Sequence, residues 1–201
     1  MEERPVDEFD YGRAVYEPLT QSVRQLIDAT IRTEVGEDTV AKVQALVDEG
    51  ARLLSERLVP ESFGVQYTRD GRGMPWGNAI IGLRNPIAPP LVIERNRDGS
   101  VWCDVELGAA YEGPPGCLHG GISALILDQL LGATAHRPAQ PAFTGTLTVR
   151  YQRPTRLGRV HGEARVVRHD GVKTYAVGHL ENGEGIMVVA EGVFVRPAGR
   201  A

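Results

Sequence analysis

Apolar positions along the chain follow three rhythms. Between residues 16 and 58, Leu19, Val23, Leu26, Ile27 and Ile31 recur at spacings of three, four and one, and Val40, Val43, Leu46, Val47, Leu53, Leu54 and Leu58 do the same. This predicts two helices, each with one apolar face. Gly36 and the pair Glu37–Asp38 separate them, Asp38 or Thr39 is the expected N-cap, and Pro60 closes the region. From residue 61 the pattern breaks. Gly71, Gly73, Pro75, Gly77, Asn85-Pro86 and Pro89-Pro90 mark a loop-rich stretch. LVIERN (91–96), a turn at Asp98-Gly99 and VWCDVEL (101–107) then read as a β-hairpin.

After the turn-forming EGPPG (112–116) comes HGGISALILDQLLGATAH (119–136), followed by the breaker RPAQP. Ile122, Ala124, Leu125, Ile126, Leu127, Leu130, Leu131, Ala133 and Ala135 leave this segment no broad polar face, so a helix buried on nearly all sides is expected. The remainder is strand. In FTGTLTVRYQ (143–152), Phe143, Leu147, Val149 and Tyr151 alternate with Thr144, Thr146, Thr148 and Arg150. Strands at about 159–168, 172–181 and 185–196 follow, joined at His169-Asp170-Gly171 and Asn182-Gly183, which are tight-turn signals. Two helices, two strands, one apolar helix and four antiparallel strands give an α+β fold. The strands must wrap around the central helix, which is the hotdog architecture. The expected organisation is an N-terminal helical extension over 1–60 and a hotdog domain over 61–201.

The length of 201 residues suits one domain plus an extension. No run approaches the ~18 apolar residues of a membrane span. The acidic start MEERPVDEFDYGR lacks the apolar core of a secretory signal, and two cysteines build no disulfide framework, so a cytoplasmic protein is expected. The net charge of −4 argues against a nucleic-acid partner. Its distribution is uneven: residues 150–173 carry Arg150, Arg153, Arg156, Arg159, Arg165, Arg168 and Lys173 against Glu163 and Asp170. Such a stretch could receive an anionic ligand, or could simply be a solvated strand face.

Chemistry concentrates on the central helix. Asp128 is a carboxylate amid apolar neighbours, costly unless paired, and burial would raise its pKa toward the range of a general base. The alternative is an ion pair or backbone contact at a subunit interface. Gly120 and Gly121 leave the first-turn amides of the helix unshielded, and its positive dipole end favours an anion or a developing oxyanion. His119 stands at that opening, as a cap or to orient a carbonyl. His119 and Asp128 are nine residues apart, ~13 Å along one helix. Both can meet one reacting carbon only if two such helices lie antiparallel across a two-fold axis, so a dimer with two composite sites is expected.

PGCLHGGISALILDQLLG followed by TGTLTVRYQRPTRLG resembles the PaaI-like acyl-CoA thioesterases of the hotdog superfamily over about residues 85–196. The motifs that carry this are HGG, an acidic residue nine positions after the His, and a strand ending Y-x-R-P. The resemblance implies that Gly120 donates its amide to the thioester carbonyl and that His119 supports the turn. It also implies that Asp128 is the catalytic carboxylate from the partner subunit and that Thr144 helps hold the water or the carboxylate. Some relatives carry Asn six residues before the His; here that residue is Gly113. The implied substrate is an acyl-CoA, the assembly a homodimer or homotetramer, and no separate cofactor is needed, because CoA is part of the substrate. Gly121, Arg153, Arg156, Arg168 and Lys173 are the candidate substrate contacts.

Two other readings stay open: a hotdog hydratase or dehydratase acting on acyl thioesters, and a non-catalytic acyl-CoA-binding module. Cys117 lies two residues before His119 but lacks a third orienting group, so a packed thiol is expected. His119, His136, His161, His169 and His179 have no ligand-pair spacing, and no metal is expected. Trp76 and Trp102 are core residues or acyl-pocket walls.

Overall fold

The computed structural model describes residues 6–68, 73–136 and 141–197. The predicted breaker at 137–140 and part of the predicted loop, at 69–72, lie outside the described residues. The chain divides into two compact units, Met1–Pro86 and Ile87–Ala201.

The first unit holds α1 (Val6–Arg32), α2 (Glu37–Leu54) and a two-residue ribbon, β1 (Gln66–Tyr67) with β2 (Gly73–Met74). Helix α1 starts well before its apolar spacing predicts and continues through Pro18, where one backbone N–H is missing. The N-cap of α2 is Gly36, not the expected Asp38 or Thr39. The Gly36 carbonyl accepts from the amides of Thr39 and Val40, while Glu37 and Asp38 sit in the first turn, where their charge suits the helix dipole. Residues 61–68 and 73–86, grouped with the later strands in the sequence reading, fall in this unit. Trp76 lies 5.7 Å from Phe9, 6.4 Å from Tyr16 and 6.1 Å from Phe63, and the Arg84 guanidinium stacks 3.6 Å over the Tyr16 ring. A Cβ on Gly12 would fall 2.6 Å from the Trp76 ring, so only glycine lets α1 approach it.

The second unit contains β3 (Glu94–Arg95), β4 (Val101–Leu107), a one-turn 3-10 helix (Ala109–Tyr111), α3 (Gly120–Ala135), β5 (Phe143–Tyr151), β6 (Gly158–Asp170), β7 (Lys173–Asn182) and β8 (Gly185–Val195). The strands form one antiparallel sheet in the order β3-β4-β6-β7-β8-β5, so β5 is an edge strand. Of the strand expected at 91–96, only Glu94–Arg95 pairs. Leu91 and Ile93 pack against the core without joining the ladder.

One side of α3 lies along this sheet. Ser123, Ile126, Leu127, Leu130, Leu131, Thr134 and Ala135 are buried there, a spacing that stacks them on one helical face. Gly162, Gly178 and Gly192, one on each of β6, β7 and β8, open the floor beneath them. A Cβ at these positions would lie 2.7 Å from Leu130, 2.7 Å from Leu131 and 3.0 Å from Leu131, respectively. The helix is not buried on nearly all sides, as its composition predicts. Ala124, Leu125, Asp128, Gln129, Gly132 and Ala133 remain half-buried, because a single curved sheet covers only one side of a cylinder.

In β5 the register skips Gly145: Thr144 pairs with Phe194 and Thr146 with Val193. This bulge reverses the parity of the strand. Directly paired residues share a face, so Thr144 joins Leu147, Val149 and Tyr151 on the side facing α3. Phe143, expected to point inward with them, turns out and is 62% exposed.

Candidate active site

The glycine turn is built by the segment that precedes α3. Gly116 adopts φ 69°, a conformation open to glycine, and its amide donates to Glu112 Oε1 at 2.6 Å. The His119 amide donates to the Tyr111 carbonyl and the Leu118 amide to the Thr155 carbonyl, which fixes the entry to the helix from two sides. Gly113 packs against this entry. A Cβ there would sit 2.8 Å from His119 Cα, so this close approach requires glycine.

His119 is the N-cap of α3. The Gly121 N–H donates to its Nδ1 at 3.0 Å. As the acceptor of that bond, Nδ1 leaves the ring N–H to Nε2. The His119 carbonyl accepts from Ile122 at 2.9 Å and from Ser123 at 3.3 Å. The Gly121 amide is thus satisfied within the chain, whereas the Gly120 amide finds no acceptor among the described residues. One open N–H at the positive end of a 16-residue helix is a ready anion donor.

Two α3-facing side chains of β5 bracket the helix. The Thr144 hydroxyl donates to Asp128 Oδ1 at 2.8 Å, and the Tyr151 hydroxyl donates to the Gly120 carbonyl at 2.8 Å. The family resemblance singles out Thr144 and gives Tyr151 no role; the signal for Tyr151 is its parity with Thr144 once the Gly145 bulge is counted. Asp128 is half-buried, and its second carboxylate oxygen makes no hydrogen bond among the described residues. Within one chain, Gly120 and Asp128 lie about 12 Å apart along the axis of α3.

The four basic candidates do not form one cluster. Arg153 donates to the carbonyls of Ile186 (2.9 Å) and Glu184 (2.6 Å), stapling the β7–β8 turn. Arg156 reaches Cys117 Sγ at 3.8 Å. Arg168 stacks 4.0 Å over Tyr175 and lies 3.7 Å from Asp170, while Lys173 opens β7. The β6–β7 and β7–β8 turns are at opposite ends of β7, about 30 Å apart at the rise of a strand. Arg153 and Arg168 therefore cannot grip one phosphate group within one chain.

Cys117 is buried, and no hydrogen bond among the described residues joins it to His119. Cys103 is buried too, and desolvation pushes its thiol up to about 11. Trp102 lies on the other face of the sheet, its ring stacked 6.1 Å from that of His161. There His161 bonds Asp104 (3.0 Å) and Glu163 (3.2 Å). Burial opposes charge on the His161 ring, but those two hydrogen bonds outweigh it and hold the group above the usual imidazole value. No three His, Cys, Asp or Glu side chains among the described residues are arranged to hold a metal ion, and no described helix is long and apolar enough to cross a membrane.

The thioesterase superfamily model matches residues 115–189, the span from the glycine turn into β8. The acyl-coenzyme A thioesterase THEM4 of Xenopus laevis is 32% identical over 90 residues, 44% of this chain and 40% of that protein's length. The PaaI protein of the Escherichia coli phenylacetic acid degradation operon is 16% identical and superimposes with a TM-score of 0.51 over 55% of this chain and 81% of its own, a likeness of fold alone. A crystal structure of a thioesterase superfamily protein is 32% identical, with a TM-score of 0.80, over 90% of this chain and 95% of that one. With that identity sustained over almost the whole of both chains, on a hotdog sheet wrapped about an HGG-opened helix, this chain belongs to the thioesterase superfamily.

Proposed function

We propose that the protein hydrolyses acyl-CoA thioesters to a free acid and CoA at two composite sites of a homodimer. The observation that carries this reading is the pair of β5 contacts, Tyr151 with Gly120 and Thr144 with Asp128. As an edge strand, β5 offers a free row of N–H and C=O groups to another strand. Antiparallel pairing of β5 with its own copy, with Tyr151 opposite Thr144 of the partner subunit, would carry each Gly120 amide to Asp128 of the partner subunit. That closes the gap that a single helix cannot span.

In this reading the thioester carbonyl oxygen accepts from the Gly120 N–H. Asp128 of the partner subunit, held at Oδ1 by its own Thr144, uses Oδ2 to take a proton from water as the oxygen adds to the carbonyl carbon. The oxyanion is stabilised by the amide, a contribution of about 3–4 kcal/mol for one preorganised donor. Collapse breaks the C–S bond, and the thiolate of CoA leaves and is protonated. Direct attack by Asp128 through an anhydride gives the same products. Turnover in 18O-water separates the two routes, because only an anhydride opened at the aspartyl carbon leaves label on the protein. Arg153 and Arg156 lie toward the Gly120 end, whereas Arg168 and Lys173 lie on the sheet face turned away from α3, so the first pair are the stronger candidates for the phosphates of CoA.

The test is thiol release from a panel of short, long and aromatic acyl-CoAs. Asp128→Asn should abolish it with the fold intact. Hydration of an enoyl-CoA without thiol release would instead favour the hydratase reading, and binding without turnover the non-catalytic one.

A further inference from the structure

None of the 18 residues of α2 is buried, and all but Gly50 are exposed. Yet its apolar side chains are ordered. Val40, Val43, Leu46, Val47, Leu53 and Leu54 fall on one side of the helix, at the spacing of a face that packs against another element. Leu46, at the middle of this stripe, is 73% exposed. A helix of this length draws most of its stability from covering such a face, and nothing in its unit covers it. Gly50 lies within the stripe. A Cβ there would meet nothing within 4 Å, so packing inside the unit does not call for glycine, which weakens a helix interior. A glycine at that place lets a second helix come close.

The charges of α2 select that second helix. Lys42 and Glu49 border the stripe on one side, each one turn before a stripe leucine, Leu46 or Leu53. Full-length antiparallel overlap of two Glu37–Leu54 helices brings Lys42 level with Glu49 of the partner subunit, on the flank where the helices meet. Every other charged residue of α2 then comes level with an uncharged one, and each helix sets the positive end of its dipole beside the negative end of the other. Parallel pairing in register would instead set each charge against its own copy. A membrane surface fits less well, because Glu37, Asp38, Asp48 and Glu49 outnumber Lys42 and Arg52, the wrong sign for anionic lipid. We propose that α2 is a self-association surface, its apolar stripe packed antiparallel against α2 of a second copy of this chain, with Lys42 and Glu49 exchanging ion pairs across the seam. The stripe supplies the driving force, while the exposed ion pairs add little affinity and fix the orientation. Glu49 already accepts from Arg52 at 2.8 Å on each oxygen, and each oxygen keeps a lone pair for the lysine. This contact is additional to the β5 pairing and independent of the hydrolase reading.

The double variant Lys42→Cys/Glu49→Cys in the full chain tests the geometry. Along one helix the two positions are about 10 Å apart, too far for a disulfide, so oxidation joins them only between chains. A covalent dimer should be the main product on a non-reducing gel, while each single variant runs largely as one chain. Charge reversal tests the seam. Lys42→Glu and Glu49→Lys should each weaken self-association about tenfold in analytical ultracentrifugation. An equimolar mixture of the two should associate within about twofold of wild type, because every seam pair is then opposite in sign again. Failure of the double variant to form the covalent dimer would overturn the proposal and leave the stripe to the chain's own hotdog unit or to another protein. Equal crosslinking by either single variant would overturn it in favour of parallel pairing or random collision, and no recovery in the mixture would remove the ion pairs from the contact. A wild-type protein that releases no thiol from any acyl-CoA would end the hydrolase reading and leave each of these results standing.

Discussion

A composite site can be tested by splitting its two halves between chains. Asp128→Asn keeps an oxygen able to accept the 2.8 Å bond from Thr144, so the helix and β5 remain joined, but the side chain no longer takes a proton or attacks. Loss of a general base costs about 10²–10⁴-fold, which takes the homodimer to background. Gly120→Val disables the other half. Its Cβ would already stand 3.3 Å from Tyr151, and two further methyl groups crowd the open amide. Each variant alone should be inactive. When the two are unfolded, mixed in equal amounts and refolded, about half of the dimers are mixed, and each mixed dimer has one site with both groups intact and one with neither. Activity should recover to about a quarter of the wild-type value. Thiol release is the assay, and native mass spectrometry counts the mixed dimers. If those dimers form and activity stays at background, Gly120 and Asp128 do not cooperate across a subunit boundary, and the catalytic proposal fails with its geometry.

Gly178→Ala should lower the melting temperature by about 5 °C, because the new methyl meets the Glu163 carbonyl at 2.6 Å and Leu131 at 2.7 Å, an overpacking cost of about 1–3 kcal/mol. Gly183→Ala, with nothing within 4 Å, is the control and should leave it unchanged. Because the partners of His161 raise its pKa, their contribution to stability is fully present below about pH 6.5 and fades as pH rises through the elevated value. The melting temperature should therefore fall as pH rises above about 6.5, and His161→Gln should flatten that slope; identical pH profiles for the two proteins would contradict the linkage. Cys103, with a thiol near 11 and no exposed surface, should resist iodoacetamide at neutral pH in the folded protein and react once it is unfolded, as peptide mass spectrometry will show.

Most of the second unit is legible in the sequence because periodicity and turn chemistry agree there. The 101–107 alternation, the Asn182-Gly183 turn and the apolar run after HGG each meet a matching element. The HGG segment marks the start of α3, where His119 is the N-cap. What stays hidden depends on contacts that composition does not encode. The spacing of α3 cannot reveal that the sheet reaches only the Ile126–Leu127–Leu130–Leu131 side, because its other residues are just as apolar. The basic run at 150–173 reads as one patch along the chain, yet the β6–β7 hairpin carries its two ends apart. The cap of α2 falls on Gly36, ahead of the expected Asp38 or Thr39, so that Glu37 and Asp38 sit inside the first turn, where their charge suits the helix dipole. The α3-facing position of Thr144 is concealed by an alternation that looks regular, because the Gly145 bulge reverses it.

That regularity has a consequence for anyone transferring residue roles by alignment. The string FTGTLTVRY contains one supernumerary glycine, and removing it would leave every functional group in the strand chemically intact. Removal would also leave the facing of Thr144 unchanged, because Thr144 and Thr146 already pair with the consecutive residues Phe194 and Val193; keeping the glycine in a regular ladder would instead send the Thr144 hydroxyl to solvent and the Phe143 ring toward the helix. A gap slid by one column across 143–146 makes that second exchange on paper, so in β5 the place of the extra residue carries as much information as the identities around it.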